Sequence, residues 1–437
     1  MRSSVLISLV LLAAATLSGC GGSGGGDGKK AQIRLLNVST GYQSLDVYTN
    51  NENNDDDDDA SRLSAVGYGT VSDYSKFDSD TYSVKFKRAG VSATLLTLSG
   101  QKLTDESHYT YVAYGSSGNF GALPIAEDQA DADGGKSRIA VYNVAEAGSV
   151  DVYITEESVD LGDASPNIAG ITSGGGGSST TVDSGTYRIR ITGTGDATDM
   201  RLDVSGVEFT SKQVSSLILT ATQGGVLVNA ILLPQQGSVT TFLNTKARVR
   251  GAVGISNGTT ATATIGGVSV IKNYTNGVIG SKYEQVTAGS LSVGLGVDGT
   301  AVSVPDQTLV AGGDYTLLVW TNSSGATTTS LITDDNRLPT TASKVKIRLL
   351  NGMSSLGAPN TLVVDYSPII EDVEVGTASS AVETNAGTDF QVDVWNSTTS
   401  APLRTQASVT LQAASVYTMF TAGGGTTAVT GTLRKDR

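Results

Sequence analysis

His108 is the only histidine among 437 residues, so any serine or threonine nucleophile that needs an imidazole base would have to lie beside it. Similar segments further along the chain hold Asp314 and Val416 in its place. A base that copies of one segment replace freely reads as a surface strand position. Gly254-Ile255-Ser256-Asn257-Gly258 matches G-x-S-x-G, yet Thr259 to Val270 after it is strand-like, and the strand-to-helix elbow that exposes such a serine is missing. Gly294-Leu295-Gly296-Val297-Asp298-Gly299 has dinucleotide-loop spacing without a following helix whose N-terminus could hold a pyrophosphate. Glycosidic cleavage needs two carboxyl groups facing each other across a cleft. No pair stands out among the 42 acidic residues. Asp46, Asp151 and Asp365 recur in related stretches with no partner Glu, so a bond to backbone or an outward strand position is the expected role.

Oxygen-only metal binding has more to recommend it, because Ca²⁺ takes carboxylate ligands. Two acidic clusters qualify: Asp55 to Asp59, and Glu127, Asp128, Asp131 and Asp133. Neither has EF-hand spacing, since Asp131-Ala132-Asp133-Gly134 would put Gln129 at the first ligand position and Ala140 at the twelfth. A solvated acidic loop is the stronger reading of both clusters, more clearly for the first. Trp320 and Trp395 are the only tryptophans. Either could stack on a pyranose ring, although core or sheet-edge packing is the commoner use of such a residue. The net charge of −13, with no dense Lys/Arg cluster, argues against nucleic acid and other phosphate ligands.

Cys20 is the only cysteine, which excludes an intramolecular disulfide and a cysteine zinc site. It ends a charged, apolar and small-residue series: Met1-Arg2, Val5 to Leu17, then Leu17-Ser18-Gly19-Cys20. That is the layout of a secretory signal, expected over residues 1–19, and the apolar run is too short for a spanning helix of about 20 residues. Leu17-Ser18-Gly19-Cys20 resembles the lipobox of bacterial lipoproteins. The resemblance implies cleavage before Cys20, acylation of Cys20 and anchoring to a membrane. Gly21 rather than Asp after the cysteine implies sorting to an outer membrane in a two-membrane cell. The alternative is an ordinary cleaved signal with a stray cysteine. Residues 20–30 are glycine-rich and read as a flexible tether, and no later stretch has membrane-spanning length.

The elements that position these residues come from a repeat. Lys30-Ala31-Gln32-Ile33, Lys136-Ser137-Arg138-Ile139, Lys246-Ala247-Arg248-Val249 and Lys344-Val345-Lys346-Ile347 each open a strand. Alternating apolar rows recur in each quarter: Tyr82, Val84 and Phe86; Tyr187, Ile189 and Ile191; Leu291, Val293 and Leu295; Phe390, Val392 and Val394. A leucine precedes Tyr-Thr by six positions at Tyr109, Tyr315 and Tyr417, with Val226 read in the tyrosine's place in the second quarter. A closing hairpin follows. The expected architecture is all-β: four tandem immunoglobulin-like β-sandwich modules over 31–128, 136–243, 244–336 and 343–437, with a barrel as the runner-up. The repeated tyrosine is similar to a tyrosine corner. Short linkers suggest a semi-rigid rod of modules strung end to end, with lateral packing as the alternative.

The stretches AQIRLLNVSTGYQSLDVY, SRIAVYNVAEAGSVDVY, VDSGTYRIRI and YTYVAYG resemble the bacterial domain-of-unknown-function family 4397 (DUF4397). Modules one and two carry the resemblance best, module four weakly, and module three by register only. Family members often read His-Ala-Ser-Pro after the first strand, where Asn37-Val38-Ser39-Thr40 and Asn143-Val144-Ala145-Glu146 stand here. The resemblance implies a surface-located β-module without an assigned activity. The expected function is a non-enzymatic, lipid-anchored envelope protein that binds an extracellular protein or glycan, or acts as a spacer. Rivals are a dedicated carbohydrate-binding protein, which needs exposed aromatics, and a hydrolase with an unrecognised carboxylate pair.

Overall fold

Alternating apolar residues give a strand one face that must be covered, and pairing two such sheets face to face satisfies both. A computed structural model describes residues 30–54, 59–353, 359–424 and 427–437. The first module is built from β1 (Lys30–Asn37), β2 (Ser44–Asn51), β3 (Ala60–Gly67), β4 (Ser75–Asp78), β5 (Asp80–Arg88), β6 (Thr94–Leu103), β7 (His108–Ser116) and β8 (Asn119–Ala126). One sheet runs β4-β1-β7-β8 and the other β3-β2-β5-β6. Tyr82, Val84 and Phe86 point between them into a core with Ile33, Leu35, Leu45 and Tyr111.

At the centre of the first sheet β1 lies parallel to β7, with Ile33 opposite Tyr109 and Arg34 opposite Thr110. The same parallel pair recurs between Lys136–Asn143 and Val214–Ala221, between Lys246–Gly254 and Asp314–Thr321, and between Lys344–Met353 and Ser415–Gly424. Each group has its own apolar interior. The fold is therefore all-β, a tandem array of two-sheet sandwich modules. The closing strand is in every case the antiparallel partner of the strand before it.

The tyrosine corner is present in three modules. The Val310 N–H donates to the Tyr315 hydroxyl at 2.9 Å and the Gln412 N–H to that of Tyr417 at 3.1 Å, while Tyr109 meets the Thr104 hydroxyl at 3.2 Å. The partner lies five residues upstream each time. Ladder register corrects the expectation for module two, because Ile139 stands opposite Ser215, which therefore takes the tyrosine's place instead of Val226.

The strand aspartates act as clasps. Asp46 accepts from the Ala65 N–H (2.7 Å) and the Gly90 N–H (3.1 Å), and Asp151 from those of Gly170 (2.8 Å) and Gly195 (2.9 Å). All four donors have left-handed backbone, so each carboxylate fixes a kink in the strand on one side and a hairpin turn on the other. Asp365 also binds backbone, accepting from the Gln391 N–H (2.9 Å), but does not belong to this set. It lies in the turn between Asn360–Val364 and Ser367–Val373, and the pairing of Leu362 with Val394 puts Thr361 where Asp46 and Asp151 stand. Asp151→Ala should cost about 3 kcal/mol, since two charge-assisted bonds are lost. Urea denaturation checks this, and a change below about 0.5 kcal/mol would contradict the clasp.

The rod expectation is corrected. The outer face of each β1-type sheet is apolar too, and modules pack on one another through it. Leu36, Val38, Val112 and Ile125 of module one meet Val144, Ile218, Ile231 and Leu233 of module two. Ala252, Ile279 and Leu318 of module three meet Leu350, Phe420 and Ala422 of module four. There the backbones come so close that a Cβ on Gly254 would sit 2.1 Å from the Gly352 carbonyl oxygen. The two pairs are also joined: the Gly224 N–H donates to the Gly312 carbonyl (2.9 Å), and Arg437 donates to the carbonyls of Gly225 (2.7 Å) and Asn336 (3.0 Å).

Candidate functional site

The strongest concentration of buried charge lies in the seam between modules three and four. Arg250 and Arg348 occupy the same place on their β1-type strands, each opposite a threonine of the parallel neighbour. Arg250 Nε donates to Thr316 Oγ1 (3.0 Å) and Arg348 Nε to Thr418 Oγ1 (2.9 Å). The acids come from residues at the end of each module's closing hairpin, and the pairs cross the seam. Arg348 Nη2 donates to Asp334 Oδ1 at 2.6 Å, and Arg250 Nη1 donates to Asp436. Tyr283 and Thr316 hydroxyls donate to Asp334 Oδ2, both at 2.7 Å. Two guanidinium groups and two carboxylates thus cancel in a place almost without water, where an unpaired charge would be very costly.

Burial alone would raise the Asp334 carboxyl, but Arg348 and Arg250 outweigh it and hold it below the usual carboxylate range. Tyr283 is driven well above the ordinary phenol value by burial and then by Asp334. The linkage sign follows from the lowered acid. Its contribution is fully present above the unfolded aspartate value of about 3.9 and drains away as pH falls through the lower folded value. Urea midpoints should therefore fall more steeply below about pH 4 for the native chain than for Asp334→Asn. Parallel slopes would refute this.

Module one carries half of the same device. Arg34 Nε donates to Thr110 Oγ1 (2.8 Å), its Nη2 to Glu127 Oε1 (2.6 Å), and its Nη1 across the seam to the Gly237 carbonyl of module two (2.6 Å). The Tyr74 hydroxyl donates to Glu127 Oε2, and its ring lies 4.7 Å beneath the Arg34 guanidinium. These arginine–threonine–acid sets were not picked out from the sequence. Their signal was present as an arginine two residues after the aligned Gln32, Arg248 and Lys346, the threonine of Tyr-Thr, and an acid at or just after the end of the last strand.

The four acids read as a calcium candidate are not brought together. Glu127 is buried and committed to Arg34 and Tyr74. Asp128 binds His108 Nδ1 (2.8 Å) and accepts from Gln236 Nε2 (3.0 Å), while Asp131 and Asp133 are exposed further along the connection. Among the described residues no group of three or more His, Cys, Asp or Glu could hold a metal ion. His108 also has Gln32 Nε2 within 2.7 Å of its Nε2, so an imidazole protonated on Nδ1 satisfies both neighbours. Asp59, the described end of the other acidic run, pairs with Lys85 at 2.5 Å. Cys20 and Asp55 to Asp58 lie outside the described residues.

Trp320 is a packing residue. Its Nε1 donates to Ser330 Oγ (2.9 Å), and a Cβ on Gly376 of module four would fall 2.2 Å from its ring. Trp395 is half-buried on the strand Gly387–Asn396, opposite Thr361 and Pro402. Gly254 ends a strand and is followed by a turn into Thr260–Ile265, and Gly294 to Gly299 lies in a hairpin, so neither motif leads into a helix.

No curated protein matches the chain. Solved structures that it is similar to include CBMbc (family CBM26) from Eubacterium rectale Amy13K in complex with maltoheptaose, at 12% identity, 48% of this chain, 96% of that chain and a TM-score of 0.16. The Bacillus anthracis TIE protein is another, at 9% identity, 66% of this chain, 50% of that chain and a TM-score of 0.16. Superpositions of that quality carry nothing about ligand or activity. A family model does match, over module one and the first two strands of module two. Residues 31–153 match the model of the domain of unknown function DUF4397.

Proposed function

We propose that this chain is a non-enzymatic envelope protein, anchored through an acylated Cys20, whose paired sandwiches form a stiff platform that binds an extracellular partner or holds one away from the membrane. The observation that carries the reading is where the reactive side chains go. His108, Glu127, Asp334 and Asp436 are bound to Asp128, Arg34, Arg348 and Arg250 within and between modules. Such groups stiffen an array and are not free to exchange protons with a substrate. The glycine-rich stretch after Cys20 supplies slack between anchor and platform.

Cys20→Ala should move the protein from the membrane fraction to the soluble fraction of fractionated cells. Persistence in membranes would count against anchoring at this residue. Residues 27–437, probed on an array of glycans and matrix proteins, should be retained saturably by a partner if the platform binds. Turnover of an arrayed glycan would instead speak for a hydrolase.

A further inference from the structure

The two module pairs use the same sheet faces but not the same charges. Ladder register makes Ala140, Ser216 and Gln235 of module two the counterparts of Arg348, Thr418 and Asp436 of module four. All three members of the arginine–threonine–acid set are therefore replaced together by smaller or neutral groups. Module one keeps its own set, Arg34, Thr110 and Glu127. The seam between modules one and two is thus half-filled, and the structure has a cavity of about 270 Å³ there, lined by Ala140, Ser216 and Gln235 on one side and Glu127 on the other.

The filled seam shows what such a space holds. Asp334, the counterpart of Glu127, accepts from the guanidinium of the neighbouring module's Arg348 at 2.6 Å. Glu127 has no such neighbour, since Ala140 ends at Cβ. Each of its oxygens takes one donor, from Arg34 and from Tyr74, and a carboxylate can accept more. Arg138 also lines the cavity, with one guanidinium nitrogen turned to the Ala130 carbonyl. Its counterpart Lys346 sits beside Arg348 in the filled seam, where Asp335 pairs with it at 2.8 Å.

We propose that the cavity between modules one and two binds a small guanidinium compound, seated against Glu127 where the other pair places the Arg348 side chain. The volume suits a ligand smaller than a typical drug-sized molecule. Planar donors meeting a carboxylate would favour guanidinium over a simple ammonium. This site is independent of Cys20 and of any partner on the outer surface.

Agmatine titrated into residues 27–437 by isothermal calorimetry should give saturable one-to-one binding. Butylamine should bind about tenfold or more weakly, for want of the planar fork. Ala140→Arg, which supplies the missing guanidinium from the chain itself, should abolish agmatine binding while leaving the melting temperature equal or higher. Ser216→Leu blocks the same space without a charge and should abolish it too, which keeps the test valid if Ala140→Arg disturbs folding. Absence of saturable heat with the native chain, or undiminished binding in a folded blocking variant, would overturn the proposal.

Discussion

Replacing Arg250 by Met should destabilise the third and fourth modules by about 3 to 5 kcal/mol, the usual cost of removing one partner from a buried charge pair. Arg250 is 1% exposed, and the Asp436 side chain it neutralises is equally buried. The variant leaves that carboxylate with Thr418 as its remaining described hydrogen-bond donor through a side chain. Arg250→Met combined with Asp436→Leu removes both charges, so most of the loss should return, because apolar residues of similar size often serve a buried site as well as an ion pair does. Equilibrium urea unfolding of the four proteins in this cycle measures the coupling. A loss below about 1 kcal/mol in the single variant, or no recovery in the double one, would show that the crossed pairs do not hold the seam.

Phe420→Ala should cost a comparable amount, about 3 to 5 kcal/mol. Phe420 is wholly buried, yet it belongs to the layer between modules three and four with Leu318 and Leu350, and not to the module-four interior. Its loss opens a cavity in that layer and should separate the unfolding of the two modules in differential scanning calorimetry. In a rod of end-to-end modules the same ring would face water, and truncating it would change stability by no more than about 0.5 kcal/mol.

The individual modules were legible because period-two alternation is a local signal. Tyr82, Val84 and Phe86 are buried on one face of β5 as their spacing requires. The lateral packing was written in the opposite signal, the failure of alternation. Lys344–Met353 is buried at every position after its first, and Asp314–Val319 is buried throughout, as expected for central strands covered on both faces. Leu349-Leu350 and Leu317-Leu318 carried that message. The charged seams were harder to see, because Arg250 and Asp436 lie 186 positions apart and only the docking of two modules brings them together. Val226 and Asp365 were misplaced for a simpler reason. A short motif can match several residues away from the true position, and only the ladder shows which residue stands opposite which.

Small-angle X-ray scattering of residues 30–437 tests the back-to-back arrangement most directly. Packed modules predict a radius of gyration near that of a compact chain of this length, about 22 to 27 Å. Four modules strung end to end would instead give about 40 Å on the same size relation, and a value there would contradict the paired architecture and the cavity between its first two members.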